Sequence, residues 1–140
     1  NPDIPFVGVF KDAAPEYGPP NLRCYVKLPQ EELAKVIGAC RVGLCTSRTE
    51  SQHLAGIEMG ACGLPMVAPQ VGCYWKRENL PGVLVGEATV EAFTNGIRAV
   101  LANPGNPEAI RECWRKEFER EAIRKEWTRL VEEVECSGAS

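Results

Sequence analysis

Short uncharged apolar runs alternate along this chain with longer stretches in which apolar residues recur every three or four positions. Residues 4–10, apolar despite Pro5, and residues 22–28, rich in β-forming types, predict two strands separated by a loop over 11–21 that Pro15, Gly18, Pro19 and Pro20 break up. Pro29 opens a predicted helix reaching Cys40, with early acids Glu31 and Glu32 and apolar residues at 33, 36, 37 and 40. Residues 42–45 read as a short uncharged strand and 46–51 as a polar turn. Residues 53–62 read as a helix that Gly63 stops, and 64–68 as another strand. A Gly- and Pro-punctuated loop leads to a last predicted strand over 82–85. Thr89 then caps a helix to about Leu101, which Pro104, Gly105 and Pro107 terminate. From Pro107 to about Val134 the spacing predicts one long amphipathic helix with Trp114, Phe118 and Trp127 on its apolar stripe. That stripe is expected to pack against the chain's own sheet or a partner, leaving a mixed-charge face in solvent. Strands that alternate with helices predict a parallel sheet covered by helices, an α/β fold whose ligands meet the strand carboxyl ends where helices begin.

Composition narrows the function classes. The 140 residues are 44% hydrophobic and 25% charged, which fits one globular domain over residues 1–135 with a flexible tail at 136–140. A net charge of −3 argues against a nucleic-acid binder led by phosphate contacts, and no apolar run is long enough for a membrane span. The opening Asn1-Pro2-Asp3 has neither the basic run nor the apolar segment of a leader peptide. Seven cysteines without a C-x-x-C pair read as reduced, buried small residues, so a cytoplasmic location is expected. With a single histidine, no metal site is expected.

The chemistry concentrates in residues 46–68. Glu50 falls in the turn at the carboxyl edge of the sheet. The amides from Gln52 to Leu54 fall at a helix start, where unpaired N–H groups and the helix dipole favour an anion. Glu58 lies within the helix, either solvent-facing or held for a ligand hydroxyl. Small residues Gly60 and Ala61 would let that helix lie close to the sheet. His53 as a general base lacks a Ser/Asp partner pattern, and Arg48 is a surface arginine within reach of phosphate.

The stretch Glu50-x7-Glu58, followed by Met59-Gly60-Ala61-Cys62-Gly63-Leu64-Pro65-Met66-Val67-Ala68, resembles the signature of retaining GT-B glycosyltransferases of the group that includes sucrose and glycogen synthases. The segment Leu28-Pro29-Gln30-Glu31-Glu32-Leu33 and Trp127 extend the likeness over about residues 22–134. The resemblance implies a Rossmann-like GT-B half-domain, shortened at its start, that binds a UDP- or GDP-type sugar. It gives Glu58 to the ribose hydroxyls, Glu50 to the donor sugar as the catalytic residue, and the amides near His53 and Leu54 to the diphosphate, with Gln52 and Arg48 beside them. The family works without a bound cofactor and usually without a metal. Ser51-Gln52-His53 replaces the family's Gly-aromatic-Gly, and of the family's opening glycine and basic pair on the diphosphate at most Gly8 and Lys11 remain. The family also needs a second domain carrying the acceptor. Such a chain is expected to be inactive alone, and to meet either its missing N-terminal domain or a second copy of itself. The alternative is a degenerate, non-enzymatic module that associates or binds nucleotide weakly.

Overall fold

The computed structural model describes residues 3–77 and 79–137. Strands β1 (Phe6–Phe10) and β2 (Leu22–Val26) pair in parallel, Phe6 against Leu22 and Phe10 against Val26. The Asn21 amide ties the start of the pair by donating to the Ile4 carbonyl at 2.7 Å. Strand β2 ends two residues short of the predicted Leu28 because Lys27 turns into the left-handed region with φ 52°. Helix α1 (Gln30–Gly38) follows, then β3 (Gly43–Leu44), α2 (Leu54–Ala61), β4 (Met66–Pro69), a 3-10 turn over Gly72–Tyr74, and β5 (Gly82–Val85). Strands β3, β4 and β5 form a parallel sheet in that order. The fold is the expected α/β arrangement of parallel strands and helices, a Rossmann-like GT-B half-domain.

The central strand β4 explains why its sequence is uncharged throughout. All four of its residues are buried, and their alternation feeds two cores. Met66 and Ala68 face a cluster with Cys45, Cys73, Tyr74, Leu80, Ile110 and Trp114, while Val67 faces Val85, Ile97 and Val100. Helix α3 (Val90–Ala102) covers the second face, and α2 with α4 (Pro107–Phe118) covers the first. Ile4 and Phe6 pack with Val42 and Leu44 on the second cluster, which joins the β1–β2 pair to the main sheet through side chains. The caps are as the sequence predicts at α3, where the Thr89 hydroxyl accepts from the Ala92 N–H at 3.1 Å. At α4, Asn106 accepts from the Glu108 and Ala109 N–H groups.

Three expectations are corrected. The small residue Gly60 does not serve mainly to bring α2 onto the sheet. Its close neighbour is the Trp114 indole of α4, where an added Cβ would lie 2.5 Å from Cγ. The long final helix is two helices, α4 and α5 (Arg120–Ser137), because Glu119 adopts ψ 145° between them. The break is cheap. The Glu119 N–H still reaches the Arg115 carbonyl at 2.9 Å, and its carbonyl accepts from the Ile123 N–H at 3.0 Å. Phe118 is held by stacking on Trp114 and by the Arg77 guanidinium 4.7 Å above its ring, and Arg77 also pairs with Glu117. Trp114, Phe118 and Trp127 therefore do not form one stripe: Trp114 is 1% exposed and Trp127 63%. Finally, α5 runs through Ser137 into the stretch read as a tail, of which 138–140 lie outside the described residues.

Candidate functional site

Cys45 prolongs β3 by donating its N–H to the Val67 carbonyl at 3.0 Å, and the chain then leaves the sheet in the turn that carries Glu50. The turn holds itself: the Ser47 hydroxyl donates to Glu50 Oε1 at 2.7 Å. His53 closes the turn in the left-handed region at φ 61°, ψ 65°, a conformation a non-glycine residue adopts at a cost and keeps only where its surroundings demand it. Those surroundings are the segment after β4. The Cys73 N–H donates to the Gln52 carbonyl at 2.9 Å, and the Tyr74 hydroxyl lies 3.1 Å from His53 Nδ1. Two glycines admit this approach. A Cβ on Gly56 would overlap the Tyr74 hydroxyl and the His53 ring, and one on Gly72, itself at φ 54°, would lie 2.9 Å from Glu50 Cβ. The ends of β3 and β4 thus meet over the start of α2.

Helix α2 begins at Leu54, not His53. The His53 carbonyl accepts from the Gly56 N–H at 3.0 Å, so the first-turn amides without an intrahelical partner belong to Leu54 and Ala55 rather than to Gln52 and His53. Glu58 is exposed, two residues from each of the buried Gly56 and Gly60 and hence on the opposite side of the helix. Leu54, 64% exposed, shares that outward side. Arg48 is exposed on the turn. Lys11, with Lys27, Asp12, Val9, Phe10, Leu28 and Leu33, lines a cleft of about 530 Å³ at the ends of β1 and β2. The structure therefore gathers Glu50, Gln52 and His53 in the turn, with Glu58 on the outward side of α2 and Lys11 in the cleft at the ends of β1 and β2. Sequence reasoning missed Ser47, Cys73 and Tyr74. Only the Gly56-x3-Gly60 spacing hinted that two bulky groups press on α2.

Burial sets the titration of this region. It lowers the His53 pKa, with the Glu50 charge acting in the opposite sense, so the imidazole is neutral at neutral pH. It raises Tyr74 and Cys45, with hydrogen bonding from Ser47 opposing the rise at Cys45. It pushes the Cys73 thiol up to about 11 from an ordinary 9.0. Below pH 9 both native and unfolded Cys73 keep the proton, and its contribution to stability is constant. Between about pH 9 and 11 the unfolded thiol ionises first, so stability is expected to fall with rising pH and then level off. His53 acts at the other end, costing stability as pH falls below its unfolded pKa of about 6.5. Urea midpoints across pH 8–11 test the alkaline limb, which Cys73→Ala should flatten relative to the wild type.

The chain matches the glycosyl transferases group 1 family over residues 12–103, from the loop before β2 to the end of α3. The chain belongs to the group 1 glycosyl transferases. Relatives of this chain include D-inositol 3-phosphate glycosyltransferase 1 of Catenulispora acidiphila, 34% identical over 85 residues, which is 59% of this chain and 20% of the relative. The D-inositol 3-phosphate glycosyltransferase of Segniliparus rotundus is 34% identical over 92 residues, 64% of this chain and 20% of the relative. That of Kribbella flavida is 32% identical over 85 residues, with 59% and 20% covered. The group 1 domain seen here thus spans about a fifth of the length of these curated relatives. Among its described residues no helix is long and apolar enough to cross a membrane.

Proposed function

We propose that this glycosyl transferase domain binds a nucleoside-diphosphate sugar and, joined to a second domain, transfers the sugar to an acceptor with retention. The observation that supports this best is the pair Glu50-x7-Glu58 inside the family match, with Glu50 at the carboxyl edge of a parallel sheet and Glu58 exposed on the following helix. Glu58 takes the ribose hydroxyls. Glu50 takes the donor sugar, and the Leu54 and Ala55 amides take the diphosphate, where the dipole of α2 stabilises the charge left behind as the sugar departs. Gln52 and His53 shape the floor of that site, and Arg48 is within the same turn. Lys11 and Lys27 give the β1–β2 cleft a positive rim for the nucleotide. The protein's share of the catalysis is positioning the donor and holding the leaving group. Helix α5, with Trp127, Leu130, Val131 and Val134 exposed, is the face we assign to the second domain or, in its absence, to a second copy of the chain. The free cysteines among the described residues favour a cytoplasmic setting for the reaction.

The test is calorimetry of UDP and GDP alongside a transfer assay with their sugar conjugates. The expected result is binding of one nucleotide without turnover by this domain alone. Failure of both nucleotides to bind at about 1 mM would overturn the reading.

A further inference from the structure

The peptide between His53 and Leu54 is planar, so the torsions of His53 decide where the Leu54 N–H points. At φ 61° and ψ 65° they turn the His53 carbonyl into α2, where it accepts from the Gly56 N–H at 3.0 Å and the Ile57 N–H at 3.4 Å. In a trans peptide the N–H opposes the carbonyl, so the Leu54 N–H faces back out of the helix start. Glycine would take this left-handed conformation freely, whereas a residue with a Cβ takes it at a cost. We propose that Tyr74 and His53 form a positioning pair for the diphosphate: their hydrogen bond holds His53 left-handed and thereby keeps the Leu54 and Ala55 amides aimed at the anion. The inference rests on the donor-binding reading and deepens it.

The hold on His53 comes from the core. The Tyr74 hydroxyl lies 3.1 Å from Nδ1, with the two rings 5.6 Å apart and tilted by 48°. Burial raises the Tyr74 pKa, so the phenol keeps its proton and can donate to Nδ1 or accept from an Nδ1–H, whichever tautomer is present. Tyr74 is 1% exposed and meets Trp114 edge-on, which fixes the hydroxyl in place. Gly56 lies against this contact: a Cβ there would overlap both the Tyr74 hydroxyl and the His53 ring, so the helix can approach the pair only without a side chain. The backbone agrees. The Cys73 N–H donates to the Gln52 carbonyl at 2.9 Å, and the Cys73 thiol lies 3.9 Å from the His53 carbonyl. Both Cys73 and Tyr74 belong to the 3-10 turn after β4, so the packed face of the sheet sets the shape of the loop that meets the ligand. Such preorganisation spares the ligand the cost of ordering the amides when it binds.

The test is calorimetry on the full chain with whichever of UDP and GDP binds the wild type. Tyr74→Phe, which removes the hydroxyl and keeps the ring, should weaken binding about threefold to tenfold, the worth of one hydrogen bond. His53→Ala, which keeps a Cβ and loses the partner, should weaken it at least as much. Adding His53→Gly to Tyr74→Phe should recover most of the loss, because glycine takes the left-handed conformation unaided. A tyrosine that only packs the core would cause the same loss with glycine at position 53 as with histidine. The inference is overturned if either Tyr74→Phe or His53→Ala binds as the wild type does, or if the double variant stays as weak as Tyr74→Phe. Those outcomes leave the donor-binding reading standing. A wild type that binds neither nucleotide overturns that reading and this inference with it. His53 is only half-buried, so His53→Ala decides the matter even if Tyr74→Phe fails to fold.

Discussion

Gly60→Ala is expected to destabilise the chain by about 3 kcal/mol, where an exposed helical glycine would gain up to about 1 kcal/mol from the same change. The reversal of sign comes from one contact. The new methyl would overlap the bond shared by the two rings of the Trp114 indole and stand 2.5 Å from its Cγ. Trp114 has nowhere to go: Tyr74 meets it edge-on at 6.0 Å, Phe118 stacks on it at 5.3 Å, and α2 closes the third side. Native domains hold only about 5–15 kcal/mol in total, so this single methyl removes a large share. Trp114→Ala should cost about 3–5 kcal/mol through the cavity it leaves. Trp114→Phe should cost less, because it also deletes the buried indole N–H, which finds no hydrogen-bond partner. Urea unfolding of the single variants and of Gly60→Ala with Trp114→Phe checks the argument. The double variant should lose clearly less than the sum, since the smaller ring yields room to the methyl. A Gly60→Ala chain as stable as the wild type would show that α2 and α4 are not in contact as described.

Glu58→Gln is expected to weaken nucleotide binding by about tenfold to a hundredfold while leaving the unfolding midpoint unchanged. A carboxylate receiving ribose hydroxyls makes charge-assisted hydrogen bonds worth roughly 1.5–3 kcal/mol, and about 1.4 kcal/mol is one decade of affinity. Stability should be spared because Glu58 is exposed and lies on the side of α2 away from Trp114 and Tyr74. Calorimetry with the nucleotide that binds the wild type measures the first effect, and urea unfolding the second. Equal affinities would remove Glu58 from the ligand. A lower midpoint would make it a structural residue.

Much of this fold was legible in local pattern. The uncharged runs around Leu44 and Val67 predicted buried parallel strands because a strand covered on both faces has no position for a polar side chain. Thr89 marked the start of α3, and Pro104 and Gly105 its end, because caps and breakers act through the backbone beside them. Glu50 and Glu58 were placed by their spacing within a strand–turn–helix unit, which a short stretch of sequence contains entirely. What stayed hidden depends on residues far apart in the chain. The break at Glu119 lies in a run of good helix formers and follows from Phe118 being pinned by Arg77 and Trp114. The left-handed turn at His53 is stabilised by Tyr74, whose hydroxyl arrives from the 3-10 turn after β4. Periodicity and capping report on a residue's nearest few neighbours along the chain. Which glycine must face which ring, and which side chains converge, is decided by packing between elements.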